Sequence, residues 1–280
     1  MVIHERLPVT AVRIDPPQAI PSLGLRELWD YRELLYTLTW RDIKVRYKQA
    51  ALGAAWAVIQ PLVMMLVFSF FFGELIHVPS NGVPYPAFAY CGLVLWMYFS
   101  AALGRASNCL VENSPLLSKV YFPRLIVPAA SVLFGLPDLG IAILLLLLLL
   151  VFFGIAPTAA VVFAVPFGLL AVITAFGASL WTSALNVRYR DVKYAVTVLL
   201  QVWLFLSPVV YSAELIPARW RALYGVNPMA GALEGFRWAM LGKGAPSWEL
   251  LGASLASALL VTVSGLWFFR YVEQTFEDTI

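Results

Sequence analysis

The chain has 280 residues, of which 61% are hydrophobic and only 12% are charged, and its formal net charge is +3. Soluble proteins carry about 25% charged residues, and a water-soluble fold could not hide so much apolar surface beneath a polar one. The composition therefore excludes a soluble domain and predicts an integral membrane protein. The net charge also lacks the strong basic excess of a nucleic-acid-binding protein, so no nucleic acid partner is expected.

The N-terminal part precedes the first apolar segment. Residues 1–24 contain four prolines and no apolar core, so we expect a flexible cytoplasmic arm without a cleavable signal peptide. Residues 25–40 predict an amphipathic helix, because Arg26, Asp30, Glu33, Thr37 and Arg41 recur on one helical stripe. Such a helix lies in the membrane surface or packs against its own bundle. Trp29 and Trp40 favour the membrane surface, where indole rings concentrate.

Six segments have the roughly 20 apolar residues that a membrane-spanning helix needs, and they predict an all-α, polytopic membrane protein. They are residues 51–73, 86–104, 125–153, 159–185, 194–211 and 250–269. The third segment is overlong and contains Pro128, Pro137 and Asp138, so a kink is expected there. Because six is an even number, both termini lie on the same side of the membrane.

The distribution of Lys and Arg predicts which side that is. Fifteen of these residues fall in the N-terminal part, in the loops 105–124 and 186–193 and in the C-terminal tail, whereas four fall in the opposite-side segment 212–248. Basic residues are retained on the cytoplasmic side. Both termini of this multi-pass protein are therefore expected in the cytoplasm.

The segment 212–241 breaks this pattern. It holds two short apolar patches, around residues 218–224 and 229–241, and neither is long enough to cross a bilayer. Segments of this length are typically re-entrant or interfacial, and non-helical backbone at membrane depth must be buried in protein or face a watery cavity. The sequence therefore predicts a re-entrant segment between the fifth and sixth spans.

No catalytic or metal-binding pattern is recognisable, and no phosphate-binding loop occurs, so any ATP would be bound by another chain. Asp138 is the main ionisable residue inside a span, and such residues are functional candidates. The alternative is that it lies near the membrane edge and caps backbone groups freed by the kink. The aromatic faces Trp56/Phe71 and Trp203/Tyr211 could stack on a glycan, or they could face lipid.

Three stretches resemble the permease subunits of ABC exporters for O-antigen, capsule and wall teichoic acid. The first is RDIKVRYKQAALGAAWAVIQPL at 41–62, and the second is NSPLLSKVYFPRLIVP at 113–128. The third comprises LNVRYRDV at 185–192, SPVVY at 207–211 and VNPMAGALEGFR at 226–237. The ending VEQTFEDTI at 272–280 adds to them. Their order and their positions relative to the spans fit the family over most of the chain after residue 25.

The resemblance implies that residues 25–280 form an exporter transmembrane domain that works as a homodimer with two copies of a separate ABC ATPase. That partner would hold the ATP and magnesium, and this chain would hold no cofactor and would not be an enzyme. The substrate would be a polyprenyl-pyrophosphate-linked glycan, drawn from among the membrane lipids of the cytoplasmic (inner) membrane. The helix 25–40 would flank the cytoplasmic entrance, and the segment 212–241 would form the outer gate.

The loop 112–124 would be the coupling helix that docks on the ATPase. Its residues Leu116, Leu117, Val120 and Tyr121 recur at helical spacing, Pro115 suits a first turn, and Lys119 marks the loop as cytoplasmic. A short helix with an apolar face outside the bilayer needs a partner to cover it. The alternative is that this helix folds back on the cytoplasmic end of its own bundle.

The basic cluster Arg41, Lys44, Arg46 and Lys48 is predicted at the cytoplasmic entrance, where it would attract the pyrophosphate of a lipid carrier. Each basic residue near an anionic surface contributes about 1 kcal/mol, although the cluster could instead be a topological anchor. Two other functions compete with glycan export. One is an ABC permease for a smaller substrate such as a drug. The other is a polyprenyl-phosphate enzyme, which should show more clustered cytoplasmic carboxylates than Glu112 and Asp191.

The predicted orientation can be tested by cysteine labelling. In intact spheroplasts, an impermeant maleimide should label Asn81→Cys and cysteines placed in 154–158, because these sites are expected outside. It should not label Ser118→Cys or Tyr189→Cys until the membrane is opened. Labelling of Ser118→Cys together with protection of Asn81→Cys would show that the predicted orientation is the wrong way round.

Overall fold

The computed structural model describes residues 25–49 and 55–274, so the predicted arm 1–24 lies outside the described residues. Every regular element in the described part is helical, which confirms the all-α class for these residues. The α-helices are α1 (Leu25–Asp30), α2 (Arg32–Gln49), α3 (Ala55–Phe68), α4 (Tyr85–Ala106), α5 (Cys109–Glu112), α6 (Ser114–Leu117), α7 (Ile126–Leu133), α8 (Leu136–Phe152), α9 (Ala164–Arg188), α10 (Val192–Leu206), α11 (Ala218–Tyr224), α12 (Pro228–Leu241) and α13 (Trp248–Glu273). A π-helical stretch, Ser69–Leu75, extends α3, and the 3₁₀ turns Ala159–Phe163 and Ala213–Leu215 precede α9 and α11.

Five helical runs in the described part are long and apolar enough to cross a membrane. They are Ala55–Leu75, Tyr85–Ala106, Ile126–Phe152, Ala159–Arg188 and Trp248–Glu273. In a helix the backbone N–H and C=O groups bond to one another, and a segment can cross lipid only if its backbone groups have such partners. These runs correspond to the first four and the sixth of the predicted segments, and the protein is a multi-pass membrane protein.

The predicted fifth span, 194–211, is helical only as far as Leu206. The helix α10 has 15 residues and is therefore about 22 Å long at 1.5 Å per residue, short of the roughly 30 Å hydrocarbon core. Pro208 explains the early end, because the residue before a proline is driven out of the helical region. Ser207 is accordingly extended, with φ −107° and ψ 149°.

The third span is interrupted in the region where the sequence predicts a kink. The run breaks between α7 and α8, where Gly135 precedes the first turn of α8 and Pro137 lies inside that turn. Proline suits the first turn of a helix because its missing N–H needs no partner there. A Cβ at Gly135 would lie 3.1 Å from the Tyr98 ring, so α4 packs closely against the break.

The core is organised around α4. Of an 18-residue apolar stretch of α4, 78% is buried inside the protein, against 17–33% of the corresponding stretches of the other four runs. It contacts α3, α7, α8, α9, α10 and α12. The other spans therefore keep wide apolar surfaces open to lipid or to another chain.

The backbones of the helices α9 and α13 pack directly against each other. A Cβ at Gly177 would lie 2.6 Å from Thr262 Oγ1, and a Cβ at Gly265 would lie 2.6 Å from the Gly177 carbonyl oxygen. Small residues at such crossings let helix backbones pack closely in a membrane. The two glycines thus make α9 and α13 a tightly packed pair.

The N-terminal helix extends past its predicted end at residue 40, because α2 continues to Gln49. Leu38 is buried in a cluster that includes Leu110 and Ile126, so one face of α2 packs on the bundle. Trp29 is 70% exposed on another face. This helix therefore packs on the bundle with one face and also exposes a tryptophan, as a membrane-surface helix would.

The segment 212–241 forms two helices, α11 and α12, where the two apolar patches were predicted. The helix α12 is buried along almost its whole length and contacts α4, α9 and α13. Its 14 residues span only about 21 Å, so it cannot cross a bilayer by itself. Gly235 fits against the Phe167 ring, since a Cβ there would approach it to 2.2 Å.

A buried ion pair on α12 holds the non-helical turn after α10. Arg237 Nη1 lies 2.5 Å from Glu234 Oε1, and the two side chains are only 3% and 4% exposed. Arg237 Nη2 donates hydrogen bonds to the carbonyls of Pro208, at 2.7 Å, and Val209, at 2.8 Å. Glu234 Oε1 accepts one from the Ala213 N–H at 3.0 Å. The pair thus supplies partners to backbone groups that have left the helix.

The helix α4 is shaped to receive this turn. A Cβ at Gly92 would lie 2.4 Å from the Val209 carbonyl oxygen, so only glycine fits there. The Arg237 guanidinium lies over the Phe88 ring, 4.0 Å from its centroid, and the Tyr85 hydroxyl donates to the Val210 carbonyl at 2.7 Å. Sequence motifs 207–211 and 226–237 therefore meet at one structural joint.

Removing the cation from this joint should be costly. Arg237→Met leaves the Glu234 carboxylate buried without its partner, which commonly costs about 3–5 kcal/mol, so the melting temperature of the purified protein in detergent should fall sharply. The double variant with Glu234→Met removes the stranded charge and should recover part of the loss. Arg219→Met, which removes an exposed cation, is the control. An Arg237→Met protein that melts like wild type would contradict the structural role.

Candidate functional site

A cavity of about 530 Å³ lies at the end of the bundle that carries α2. Its wall is formed by α2, α3, α4, α7 and α8, with one residue from α10. Ligand pockets commonly measure about 300–1,000 Å³. Most of the wall is apolar, as at Leu93, Met97 and Leu139, and the polar side chains include Arg46 and Asp138. The cavity is therefore amphiphilic.

Asp138 is held by two side chains of α2. Its Oδ2 lies 2.5 Å from Arg46 Nη1, and its Oδ1 accepts a hydrogen bond from the Tyr47 hydroxyl at 2.5 Å. Burial and the bond to Asp138 raise the pKa of Tyr47 to about 12, so the phenol is a donor throughout the physiological range. The acid near the kink is therefore paired with a cation from outside the spans.

A second ion pair joins α2 to α4. Arg105 Nη2 lies 3.1 Å from Asp42 Oδ2, and Arg41 Nη2 lies 2.9 Å from Asp42 Oδ1. The Arg105 guanidinium also lies over the Phe134 ring, 3.7 Å from its centroid, and that of Arg46 lies 5.3 Å from the same centroid. Cations gain a favourable electrostatic interaction over an aromatic face. Two guanidinium groups thus stand at one side of the cavity.

The four residues of the predicted basic cluster divide into two groups. Arg46 lines the cavity. Arg41 pairs with Asp42, Lys44 lies over the Trp40 ring at 5.4 Å, and Lys48 is exposed. The structure therefore places one member of the cluster at the cavity and three along the exposed part of α2.

The four predicted aromatic residues are not brought together. Trp56 lines the cavity, with Gln60 beside it on α3, whereas Phe71 lies in the π-helical extension of α3 against Phe70. Trp203 Nε1 donates to Asn227 Oδ1 at 3.0 Å, and its ring packs edge-on against Phe99. This gives Trp203 a structural role within the chain.

Tyr211 is also held by neighbours in the same chain. Its hydroxyl donates to the Phe205 carbonyl at 3.0 Å and lies 2.9 Å from the Tyr224 hydroxyl. These contacts tie the turn after α10 to α11. Of the four aromatic residues predicted for a glycan path, only Trp56 borders the cavity.

The predicted coupling helix is shorter than expected. The helix α6 covers only Ser114–Leu117, with Pro115 in its first turn, so the expectation that helical spacing continues to Tyr121 is wrong. Leu116 and Leu117 pack against the bundle's own core. Val120 and Tyr121 do not, and Tyr121 is 89% exposed; Lys119 is exposed as well. The two leucines therefore pack on their own bundle, as the alternative predicted. Val120 and Tyr121, which follow them, are exposed apolar residues without this packing.

Hydrogen bonds anchor this loop at both of its ends. At its end, Arg124 Nη1 donates to the Glu273 carbonyl at 2.9 Å. At its start, Asn186 Nδ2 donates to Asn108 Oδ1 at 3.0 Å, and Asn108 Nδ2 donates to Glu112 Oε1 at 2.7 Å. The loop is thus joined to the ends of both α9 and α13.

Three residues of the site were not predicted from the sequence. Arg105 was counted only as a topological charge, and Asp42 and Tyr47 were not separated from the basic run around them. Arg105 and Asp42 are 63 positions apart, and Tyr47 and Asp138 are 91 apart, so no local spacing connects them. One signal was available, since an acid inside a basic run on a helix favours an ion pair with another element.

Comparison with known proteins gives a consistent result. The chain matches the family model for the ABC-2 type transporter over residues 33–241. It is 29% identical over 259 residues to the O-antigen export system permease protein RfbA of Myxococcus xanthus, covering 91% of this chain and 98% of that protein. It is 26% identical over 249 residues to an RfbA of Klebsiella pneumoniae, covering 89% and 95%. The polysialic acid transport protein KpsM of Escherichia coli is 23% identical over 244 residues, covering 86% and 92%.

The two tryptophans can be distinguished by a matched pair of substitutions. Trp203→Phe removes the hydrogen bond to Asn227, which should cost about 0.5–1.5 kcal/mol and lower the melting temperature in detergent. Trp56→Phe should leave the melting temperature unchanged, because Trp56 is 52% exposed. Equal melting temperatures for the two variants would contradict the structural assignment of Trp203.

Proposed function

Since the chain belongs to the ABC-2 type transporter family, we propose that it is the permease subunit of an exporter that moves a polyprenyl-pyrophosphate-linked polysaccharide out of the cytoplasm. As a member of this family it is a transporter membrane subunit rather than an enzyme, and an ABC ATPase is its partner. ATP hydrolysis in that partner would drive transport. The glycan would be of the O-antigen, capsule or teichoic-acid type.

The proposed substrate class is supported by the extent of similarity to glycan transporters. Relatives named for O-antigen export and for polysialic acid transport align with 86–91% of this chain and with 92–98% of their own length. Both substrates named are polysaccharides. A common glycan cargo is the simplest explanation of similarity over the whole domain, including α2 and the segment 212–241.

The cavity suits the carrier of such a glycan. A polyprenyl pyrophosphate joins a multiply charged head to an apolar chain. Arg46 and Arg105 stand at the cavity beside apolar side chains of α4 and α8, and Arg41, Lys44 and Lys48 extend the positive surface along α2. Arginine binds phosphate oxygens with a planar fork of donors. The basic cluster of α2 therefore forms the cytoplasmic entrance in this proposal.

The proposed arrangement in the membrane has six spans, both termini in the cytoplasm and two copies of the chain. The helix α10 with the turn 207–211 serves as the fifth span, and 212–241 as a re-entrant outer gate. The charge distribution supports the orientation. The run Ala55–Leu75, in which only 17% of an 18-residue apolar stretch is buried, offers an open apolar surface for the second copy.

The function can be tested with the permease and the ATPase co-expressed and reconstituted in vesicles. ATP turnover should rise when a polyprenyl-pyrophosphate-linked oligosaccharide is added and should not rise with small hydrophobic drugs. Glycan should become accessible on the far side of the vesicle in an ATP-dependent way. Stimulation by drugs alone would favour a permease for smaller substrates.

The same complex tests the coupling surface. Val120→Asp with Tyr121→Ala should abolish recovery of the ATPase with the permease, because truncating a central interface residue often costs more than 1 kcal/mol. The permease should still insert, since neither side chain packs in the core. Trp248→Ala, an exposed aromatic at the other end of the bundle, is the control. Normal ATPase recovery with the double variant would place the docking surface elsewhere.

A further inference from the structure

Each arginine at the cavity already has a carboxylate partner supplied by a different element. Arg46 of α2 pairs with Asp138 of α8, and Arg105 of α4 pairs with Asp42 of α2. The two pairs cross, so that α2 gives a cation to α8 and an anion to α4. All four side chains remain partly exposed, from 23% for Asp42 to 41% for Arg46.

The two guanidinium groups are close enough to act together. Both lie against the Phe134 ring, at 5.3 Å and 3.7 Å from its centroid, and are therefore within about 9 Å of each other. Both also line the cavity whose remaining wall is mostly apolar. A single amphiphile with a multiply charged head could contact the two cations while its chain enters the cavity.

The ion pairs are of a kind that a stronger anion can replace. Pairs between partly exposed side chains are weak, because solvent screens them and ordering the side chains costs entropy. Arginine–phosphate contacts are charge-assisted and frequently bidentate, which makes them stronger. A pyrophosphate brings more charge and more acceptor oxygens than one carboxylate, whereas a singly charged phosphodiester brings less advantage.

We propose that Asp138 and Asp42 are internal counter-ions, which occupy Arg46 and Arg105 until a pyrophosphate headgroup displaces them. This rests on the proposed function for the identity of the amphiphile and adds Arg105 to the headgroup site. The two carboxylates set a threshold that favours pyrophosphate over the singly charged headgroups of bulk lipids. Displacement also breaks the two ion pairs that join α2 to α4 and α8, leaving the leucine contacts of α2 with the core.

A purely structural role for these ion pairs predicts the opposite result, which makes the inference testable. If Asp138 only fastened α2, its neutralisation would loosen the site and would not improve anion binding. If it competes with the headgroup, its neutralisation should tighten binding. Asp138→Asn keeps the shape of the side chain and an oxygen that can accept from Tyr47.

The experiment measures binding of farnesyl pyrophosphate, a short polyprenyl pyrophosphate, to the purified full chain in detergent by microscale thermophoresis. Asp138→Asn should lower the Kd about two- to fivefold, the range expected from removing one partly exposed ion pair. Arg46→Gln and Arg105→Gln should raise it. Asp191→Asn, which removes an exposed carboxylate at the start of α10, should leave it unchanged. Farnesol, which lacks the charge, should bind all variants alike.

Two competitors separate the possible sources of the anion. Phosphatidylglycerol should compete poorly for wild type and better for Asp138→Asn, because the threshold has been lowered. Inorganic pyrophosphate should compete only at higher concentration, because it lacks the apolar chain. Equal competition by phosphatidylglycerol against wild type and Asp138→Asn would overturn the selectivity argument.

The outcomes distinguish this inference from the function on which it rests. Binding by wild type that is lost in Arg46→Gln, with an unchanged or higher Kd in Asp138→Asn, would overturn the counter-ion role and leave the proposed function intact. Failure of wild type to bind any polyprenyl pyrophosphate would overturn both. If Asp138→Asn is not recovered as folded protein, Asp42→Asn provides the same test at Arg105.

Discussion

Backbone groups that leave a helix inside a membrane protein need partners from the protein itself, and the turn after α10 depends on Arg237 for them. Its guanidinium binds two carbonyls of that turn, while Glu234 neutralises the charge and binds a backbone N–H. Pro208 ends α10 early, and this pair stabilises the path by which the chain then returns into the bundle as α12. Gly92 of α4, the buried helix α12 and the residues 207–213 all meet at that joint.

The sequence was sufficient for much of the fold. Length and hydropathy identify five spans, and Pro137 with its neighbours identifies the break in the third. The end of α10 was misplaced, because the apolar residues Val209 and Val210 continue the hydropathy although Pro208 stops the helix. A hydropathy value does not show which backbone N–H and C=O groups have hydrogen-bond partners. The partners of that turn lie 21 to 29 residues away on α12, so no local pattern shows them.

The candidate site was predictable only in part. The sequence assigns Arg46 to a basic cluster and Trp56 to an aromatic helical face, and both line the cavity. It also selected Trp203 and Tyr211, whose polar atoms bind groups within the same chain. Periodicity assigns a residue to a helical face without identifying what that face meets. Asp138 is recognisable in the sequence as an ionisable residue within a span. Its partner Arg46 lies on α2, outside the spans, so a search for charged residues within the spans does not find it.

The close packing of α9 against α13 has a mechanical consequence. Gly177 and Gly265 bring the two backbones together without intervening side chains, so the helices resist sliding past each other. The loop 112–124 is attached to both at the same end, through Asn186 and Glu273. A displacement of the loop is therefore expected to tilt the two helices together. Because α12 packs on both helices, that tilt reaches it without passing through the cavity.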